Sequence, residues 1–376
     1  MVGQTIQERA RRDPATLIGK GKVEDVARLS EEKAANLLVF DEELSPAQQR
    51  NVEKAVGRKT VDRTQLILDI FARRARTREG RLQVELAQLD YLLPRLAGQG
   101  NVLSRLGGGI GTRGPGETKL ETDRRRIRQR IQSIRREIER VRRERTTRRE
   151  GRTRQAAPVV ALVGYTNAGK STLFNALTRS EAVVSDQLFM TLDPLVRRLR
   201  LGPGSEVLLV DTVGFIQKLP HQLVAAFRAT LEEVVQADLM LHVVDASAED
   251  VEDREAAVDE VLEQIGAKEH ARITVLNKAD ATPPARARAL KEARTGSVLV
   301  SARTGEGLPL LLGELQARLA LVPRNVRLRF RAADRRGIAG VYAAGRVLSH
   351  EVSGEDALLE AELPERMLSR YREHIE

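Results

Sequence analysis

Short apolar runs alternate with amphipathic stretches through the first 76 residues. ATLIG (Ala15 to Gly19), NLLVFD (Asn36 to Asp41) and KTVDR (Lys59 to Arg63) read as strands. KVEDVARLS, SPAQQRNVEKAVG and TQLILDIFARRA read as helices. In the second of these, Ser45 is the expected N-cap, Pro46 the first helical residue and Gly57 the C-cap. The alternation predicts a small parallel α/β domain over residues 1–76, with GKGK (Gly19 to Lys22) as a turn.

The periodicity then lengthens. Leu82, Leu86, Leu89, Leu93 and Leu96 recur at 4-3-4-3 spacing. Leu120, Ile127, Ile131, Ile134, Ile138 and Val141 continue a stripe of the same kind. Two such stripes joined by a glycine-rich connector predict an antiparallel helical hairpin over residues 77–150, its tip at 98–116. After the polar linker RTRQAA, residues 156–322 read as an α/β domain with a mixed, mostly parallel sheet. Residues 323–376 carry the strand and helix patterns of a small α+β domain.

Charge sharpens the picture of the hairpin. The 376-residue chain carries a net +10, and Asn101 to Gln155 holds 18 basic against 7 acidic side chains, which accounts for the whole excess. The acids there are too few to pair every arginine. Arg113, Lys119, Arg124, Arg125, Arg126, Arg128 and Arg130 are therefore candidate RNA contacts, against the plainer reading of a solvated arginine face. Cysteine is absent, which excludes disulfides and thiolate chemistry. With no signal peptide and no spanning segment, the expectation is a soluble, cytoplasmic protein, with partial membrane association left open.

Gly164 to Ser171 matches G-x-x-x-x-G-K-S between a strand and a helix. Gly164, Tyr165, Thr166, Asn167, Ala168, Gly169, Lys170, Ser171 and Thr172 are candidate nucleotide-binding residues. Backbone N–H groups would wrap the phosphates, Lys170 would reach the β and γ positions, and Ser171 would hold Mg2+. Asp211, Thr212, Val213 and Gly214 (DTVG) follow the strand EVLLV. Asp211 fits a carboxylate supporting Mg2+ through water, and Gly214 an N–H offered to the γ-phosphate. Asn277, Lys278 and Asp280 (NKAD) end a further strand, and Asp280 can accept from guanine N1–H and its exocyclic amine. Ser301, Ala302 and Arg303 can bring a backbone N–H to the guanine oxygen. Thr191, in LFMTLDP, lies where a switch threonine would meet Mg2+ and the γ-phosphate, so Lys170, Thr191 and Gly214 are the candidate catalytic residues. Phe215 stands where many regulatory GTPases place a water-orienting glutamine, which predicts slow intrinsic hydrolysis. His221 is a weaker candidate base, more readily structural.

With these motifs in place, the sequence resembles the HflX family of translational GTPases. GGGIGTRGPGETKLETDRRRI, GYTNAGKST, LFMTLDP, DTVGFIQKLPHQLVAAF and NKAD carry the resemblance. So do ELSPAQQRNVEKA and RTQLILDIFARRARTREGRLQVELAQLDYLLPRL upstream. The family also usually has a leading strand ahead of TIQERARRDPATLIGKGK that this sequence does not show. The resemblance implies GTP-dependent binding to the large ribosomal subunit, the hairpin on ribosomal RNA near the peptidyl transferase centre, and splitting of stalled or idle ribosomes. A Mg2+-dependent monomer with no obligate protein partner is the expectation. A subunit-assembly factor, or an RNA-remodelling ATPase with a second nucleotide in the first domain, are the alternatives.

Overall fold

The computed structural model describes residues 1–8, 11–96, 115–150, 157–179, 194–202, 205–217 and 231–376. The chain divides into two compact units, Met1–Arg148 with Pro220–Phe227 and Arg149–Leu219 with Arg228–Glu376.

In the first unit, α1 (Lys20–Glu32), β1 (Leu37–Phe40), α2 (Pro46–Val56), β2 (Lys59–Asp62) and α3 (Arg63–Arg74) follow in order, and β1 pairs with β2 in parallel. Ser45 and Gln48 close a reciprocal capping box at the start of α2, and Gly57 ends that helix at φ 69°. ATLIG is not a strand. Asp13 Oδ1 accepts from the Ala15 and Thr16 amides, Leu17 turns at φ 67°, and Asp13 and Leu17 exchange backbone hydrogen bonds. The segment is a closed turn led by Asp-Pro. GKGK is not a turn either: Gly19 is the N-cap and Lys20 to Lys22 form the first turn of α1.

The helices α4 (Arg78–Leu96) and α5 (Pro115–Glu150) have antiparallel struts. Arg78 meets Glu137 at 3.2 Å, and Arg130 grips Glu85 in two hydrogen bonds of 2.7 and 2.9 Å. Ile131 and Ile134 of α5 are buried. On α4 the leucine stripe shares the burial with a second one, Gly80, Val84, Ala87 and Tyr91, because α4 also packs on α3. Arg95, in the last turn of α4, locks this arrangement. It reaches the buried Asp62 at 3.1 Å, Leu44 O at 2.7 Å and Gln49 Oε1 at 3.1 Å, and lies 3.4 Å from the centre of the Tyr91 ring. The glycine-rich tip lies outside the described residues, apart from the first residues of α5.

The second unit contains a six-stranded sheet in the order β4-β5-β3-β6-β7-β8. Its strands are β3 (Val159–Gly164), β4 (Leu195–Gly202), β5 (Ser205–Asp211), β6 (Leu239–Asp245), β7 (Arg272–Asn277) and β8 (Val298–Leu299). Only the β4–β5 pairing is antiparallel. The central strands read as continuous apolar runs because helices cover the sheet; β6 is buried at every position. The helices are α6 (Lys170–Thr178), α7 (Val251–Gln264), α8 (Pro284–Ala293) and α9 (Leu308–Arg318). Beyond them, β9 (Pro323–Arg331), α10 (Arg335–Ala344), β10 (Arg346–Ser353) and β11 (Asp356–Pro364) build a three-stranded antiparallel sheet in the order β10-β11-β9. Leu328, Phe330, Val341, Leu359 and Tyr371 form its core. Among the described residues no helix is long and apolar enough to cross a membrane.

Candidate functional site

Because β3, β5, β6, β7 and β8 run parallel, their carboxyl ends share one rim of the sheet, the usual location of ligand sites in such folds. Four loops from that rim hold one another. Asn277 Nδ2 donates to Ala168 O of the first loop at 2.9 Å, and its Oδ1 accepts the Ala302 amide at 3.0 Å. A Cβ on Gly169 would stand 2.3 Å from Asn277 Nδ2, and Gly169 has φ 91°, so glycine is required there. The Phe215 amide donates to Gly164 O at 3.0 Å and the Thr166 amide to Phe215 O at 2.7 Å, zipping the DTVG strand end to the glycine loop. Phe215 itself is buried, so its ring is an anchor.

Lys170 begins α6 and is buried at 6% exposure. Its ammonium donates to Gly164 O at 3.1 Å and Tyr165 O at 2.9 Å. Burial pulls its pKa down to about 8, with Asp211 opposing the shift. Ser171 Oγ donates to Asp211 Oδ2 at 2.7 Å. Thr172 is half-buried in the same helix turn, and Thr212 fixes the end of β5 by donating to Leu162 O at 2.6 Å. Val213 is buried. Gly214 abuts the lysine: a Cβ would lie 2.9 Å from Lys170 Nζ and 2.9 Å from Thr166 Cα. Asn167 occupies the left-handed region at φ 61°. Thr191 and His221 lie outside the described residues.

At the other end of the rim, Asp280 Oδ1 accepts from Ser301 Oγ at 2.6 Å and Oδ2 from Arg303 at 2.6 Å. The serine hydrogen bond, then Arg303 and Lys278, hold its carboxyl below the ordinary range against the opposing effect of desolvation. The Arg303 side chain is 77% exposed, so this ion pair is an easily exchanged one. Ser301 N–H donates to Glu306 O and Ala302 N–H to Asn277, which leaves Arg303 as the residue of that loop with an uncommitted N–H among the described residues.

His242, on β6, escaped the sequence reading. It is 3% exposed, and burial pushes its pKa down to about 4. An unfolded chain takes up this proton near pH 6.5 and the folded one near 4, so stability is complete above about 6.5 and declines as pH falls toward 4. Urea unfolding should show a loss approaching roughly 3 kcal/mol from this group over that window. His242→Leu should flatten the slope; an unchanged slope would contradict it.

Of the hairpin arginines, Arg125, Arg126 and Arg128 are exposed and Arg124 is half-buried. Arg126 stands 3.8 Å from Asp123. Arg130 forms a surface ion pair with Glu85, a contact the charge count did not reveal. Lys119 lies on α5, and Arg113 is outside the described residues.

The glycine loop, buried lysine, serine–aspartate pair and Asp280 carboxylate occur in a chain that matches three family models. These are the GTP-binding GTPase N-terminal region over residues 1–72, its middle region over 74–152, and the 50S ribosome-binding GTPase over 159–278. GTPase HflX of Caldanaerobacter subterraneus subsp. tengcongensis is 46% identical over 375 residues, covering 100% of this chain and 86% of that protein. The chain belongs to the HflX family of GTPases. GTPase HflX of Escherichia coli strain K12 is 48% identical over 329 residues, covering 85% of this chain and 77% of that protein. A solved GTP-binding protein from Sulfolobus solfataricus in complex with GDP aligns with TM-score 0.44 and 24% identity, covering 82% of this chain and 88% of that one. As an HflX-family GTPase, the protein hydrolyses GTP to GDP and phosphate.

Proposed function

We propose that the protein couples GTP binding and hydrolysis to an action on the large ribosomal subunit, splitting stalled or idle ribosomes. Family membership supports the ribosomal partner: the model matched over residues 159–278 is described as a 50S ribosome-binding GTPase. The observation that carries the RNA contact is the exposed arginine face of α5. Arg125, Arg126 and Arg128 are exposed on the N-terminal half of α5, and Arg130 beside them pairs with Glu85 at the surface.

In the nucleotide site, the first-loop amides and Lys170 hold the phosphates, Gly214 meets the γ-phosphate, and Asp280 reads guanine. The Arg303 amide is the donor suited to the guanine oxygen. Ser171 and Asp211 fit Mg2+: the hydroxyl would be a hard oxygen ligand, and the carboxylate 2.7 Å from it would support the ion through water. Bound there, Mg2+ neutralises charge on the phosphate oxygens. Thr191 completes the ligand set in this reading. With the Phe215 ring turned inward, the chain offers no water-orienting side chain at that position, so hydrolysis by the free protein is slow and rises with ribosomes.

The test is a salt series. Replacing Arg125, Arg126 and Arg128 together by Ala preserves the helix, since Ala is the best helix former. GTP binding should persist while pelleting with large subunits weakens. The log–log salt slope should flatten by about 0.7 to 0.9 for each phosphate that no longer has an arginine beside it. Pelleting equal to wild type at every salt concentration would show a merely solvated face. Sucrose gradients then separate the outcomes: conversion of monosomes to subunits supports splitting, and unchanged monosomes refute it.

A further inference from the structure

Asp245 ends β6 and belongs to none of the nucleotide motifs. Its side chain is 8% exposed. Oδ2 accepts from Lys278 Nζ at 2.8 Å and lies 3.7 Å from Arg254 Nη1 of α7. Oδ1 accepts from the Ser247 hydroxyl at 2.6 Å and the Ser247 amide at 3.1 Å. Arg254 is held in turn by Asp250 at 2.8 Å, and its guanidinium stands 5.3 Å from the centre of the Tyr165 ring. The Tyr165 hydroxyl accepts the Gln217 amide at 3.4 Å. One carboxylate thus joins the loop of Asn277 to Asp280 to helix α7, whose Arg254 in turn lies near Tyr165 of the glycine loop.

A carboxylate this deep persists only where charge and hydrogen bonds compensate its desolvation. Here the compensating cation is Lys278, whose backbone sits in the left-handed region at φ 64°, costly for any residue that carries a Cβ. The tether gives that conformation a reason. With its ammonium anchored, Lys278 presents its methylene stem as a fixed apolar surface two residues before Asp280. A free lysine would sample many rotamers and lose that entropy each time a ligand settled on it.

We propose that Asp245 is a positioning residue for the nucleotide: it anchors Lys278 so that the lysine stem forms a pre-set wall of the base pocket. The inference rests on the reading of Asn277 to Asp280 as the base-binding loop. It makes Asp245 a determinant of how long a purine nucleotide stays, not of which purine is chosen, because the stem touches a ring face and no exocyclic group.

Dissociation of a fluorescent GDP from the full chain tests this. Asp245→Ala should speed release roughly tenfold. Asp245→Asn should do so less, since its amide oxygen still accepts from Lys278. The ratio of GDP to IDP affinity should stay at the wild-type value. Asp245→Ala combined with Lys278→Ala should release no faster than Lys278→Ala alone, because the aspartate acts through the lysine. A purely structural aspartate would instead add its effect in the double variant. Release by Asp245→Ala within about twofold of wild type, or additive effects in the cycle, overturns the proposal. Should Asp245→Ala not fold, Asp245→Asn against Lys278→Met gives the same cycle. Asp280→Asn in the same assay separates the two readings. Unaltered guanine preference there removes the base-loop assignment itself, whereas altered preference with inert Asp245 variants removes only this inference.

Discussion

Lys170→Ala should lower kcat for GTP hydrolysis roughly a hundred- to thousandfold, the range seen when one preorganised charge donor is removed from a transition state. The expectation rests on how the lysine is held. Its ammonium is buried against two backbone carbonyls, Gly164 O and Tyr165 O, so its charge is oriented but only partly compensated. Burial lowers its pKa from 10.5 to about 8. The unfolded chain binds that proton more tightly, so between pH 10.5 and 8 the folded state loses stability as pH falls, and at neutral pH it carries the cost in full. In the proposed nucleotide site, phosphate oxygens beside Nζ would supply the missing counter-charge and remove that cost. GDP should therefore raise the melting temperature of the wild type, and the rise should shrink sharply in Lys170→Ala. Hydrolysis by the variant within about tenfold of wild type, with the thermal shift intact, would sink the assignment.

The four motif loops that meet at the rim were legible in the sequence because each is a few consecutive residues after an apolar strand. GYTNAGKS, DTVG, NKAD and SAR need only the shared rim of a parallel sheet to converge, and the sheet provides it. The contacts of Asp245 and Arg254 were not legible, because they exist only where the end of β6 meets the start of α7 and the loop after β7. The same holds for Arg95, whose partners Asp62, Leu44 and Gln49 are distant in sequence. Heptad spacing identifies the hairpin but describes one face of α4, since period alone does not show that a helix is packed on two sides. Apolar content makes ATLIG look like a strand, although Asp13-Pro14 ahead of it is a turn signal that carries its own mechanism: the aspartate side chain caps the following amides. Arginine counting likewise identifies a cationic helix without separating struts from free charges. Glu85 and Glu137 sit on different helices, and only the fold shows which arginines they consume.

Asp280→Asn should exchange guanine for xanthine selectivity. Both carboxylate oxygens of Asp280 are acceptors in the structure, one toward the Ser301 hydroxyl and one toward Arg303. The exposed guanidinium of Arg303 marks the direction from which guanine's two donors, N1–H and the exocyclic amine, would approach. Its exchange for those donors costs little, because an exposed ion pair is weak. Asp280 stays ionised well below neutral pH, so GTP affinity should not fall with mild acidification on its account. An asparagine keeps one acceptor for N1–H and turns a donor toward the position of the amine. Guanine then loses a charge-assisted pair and meets donor against donor, at a cost of about 2 kcal/mol or more, roughly thirtyfold in affinity. Xanthine, with a carbonyl in place of the amine, gains the hydrogen bond that guanine loses. Ser301 continues to orient the side chain, because an asparagine oxygen accepts its hydroxyl as a carboxylate does. Competition between GTP and XTP for the variant measures the outcome directly. Preference for GTP undiminished by the substitution would place the base somewhere other than the rim formed by Asn277, Asp280 and Ser301.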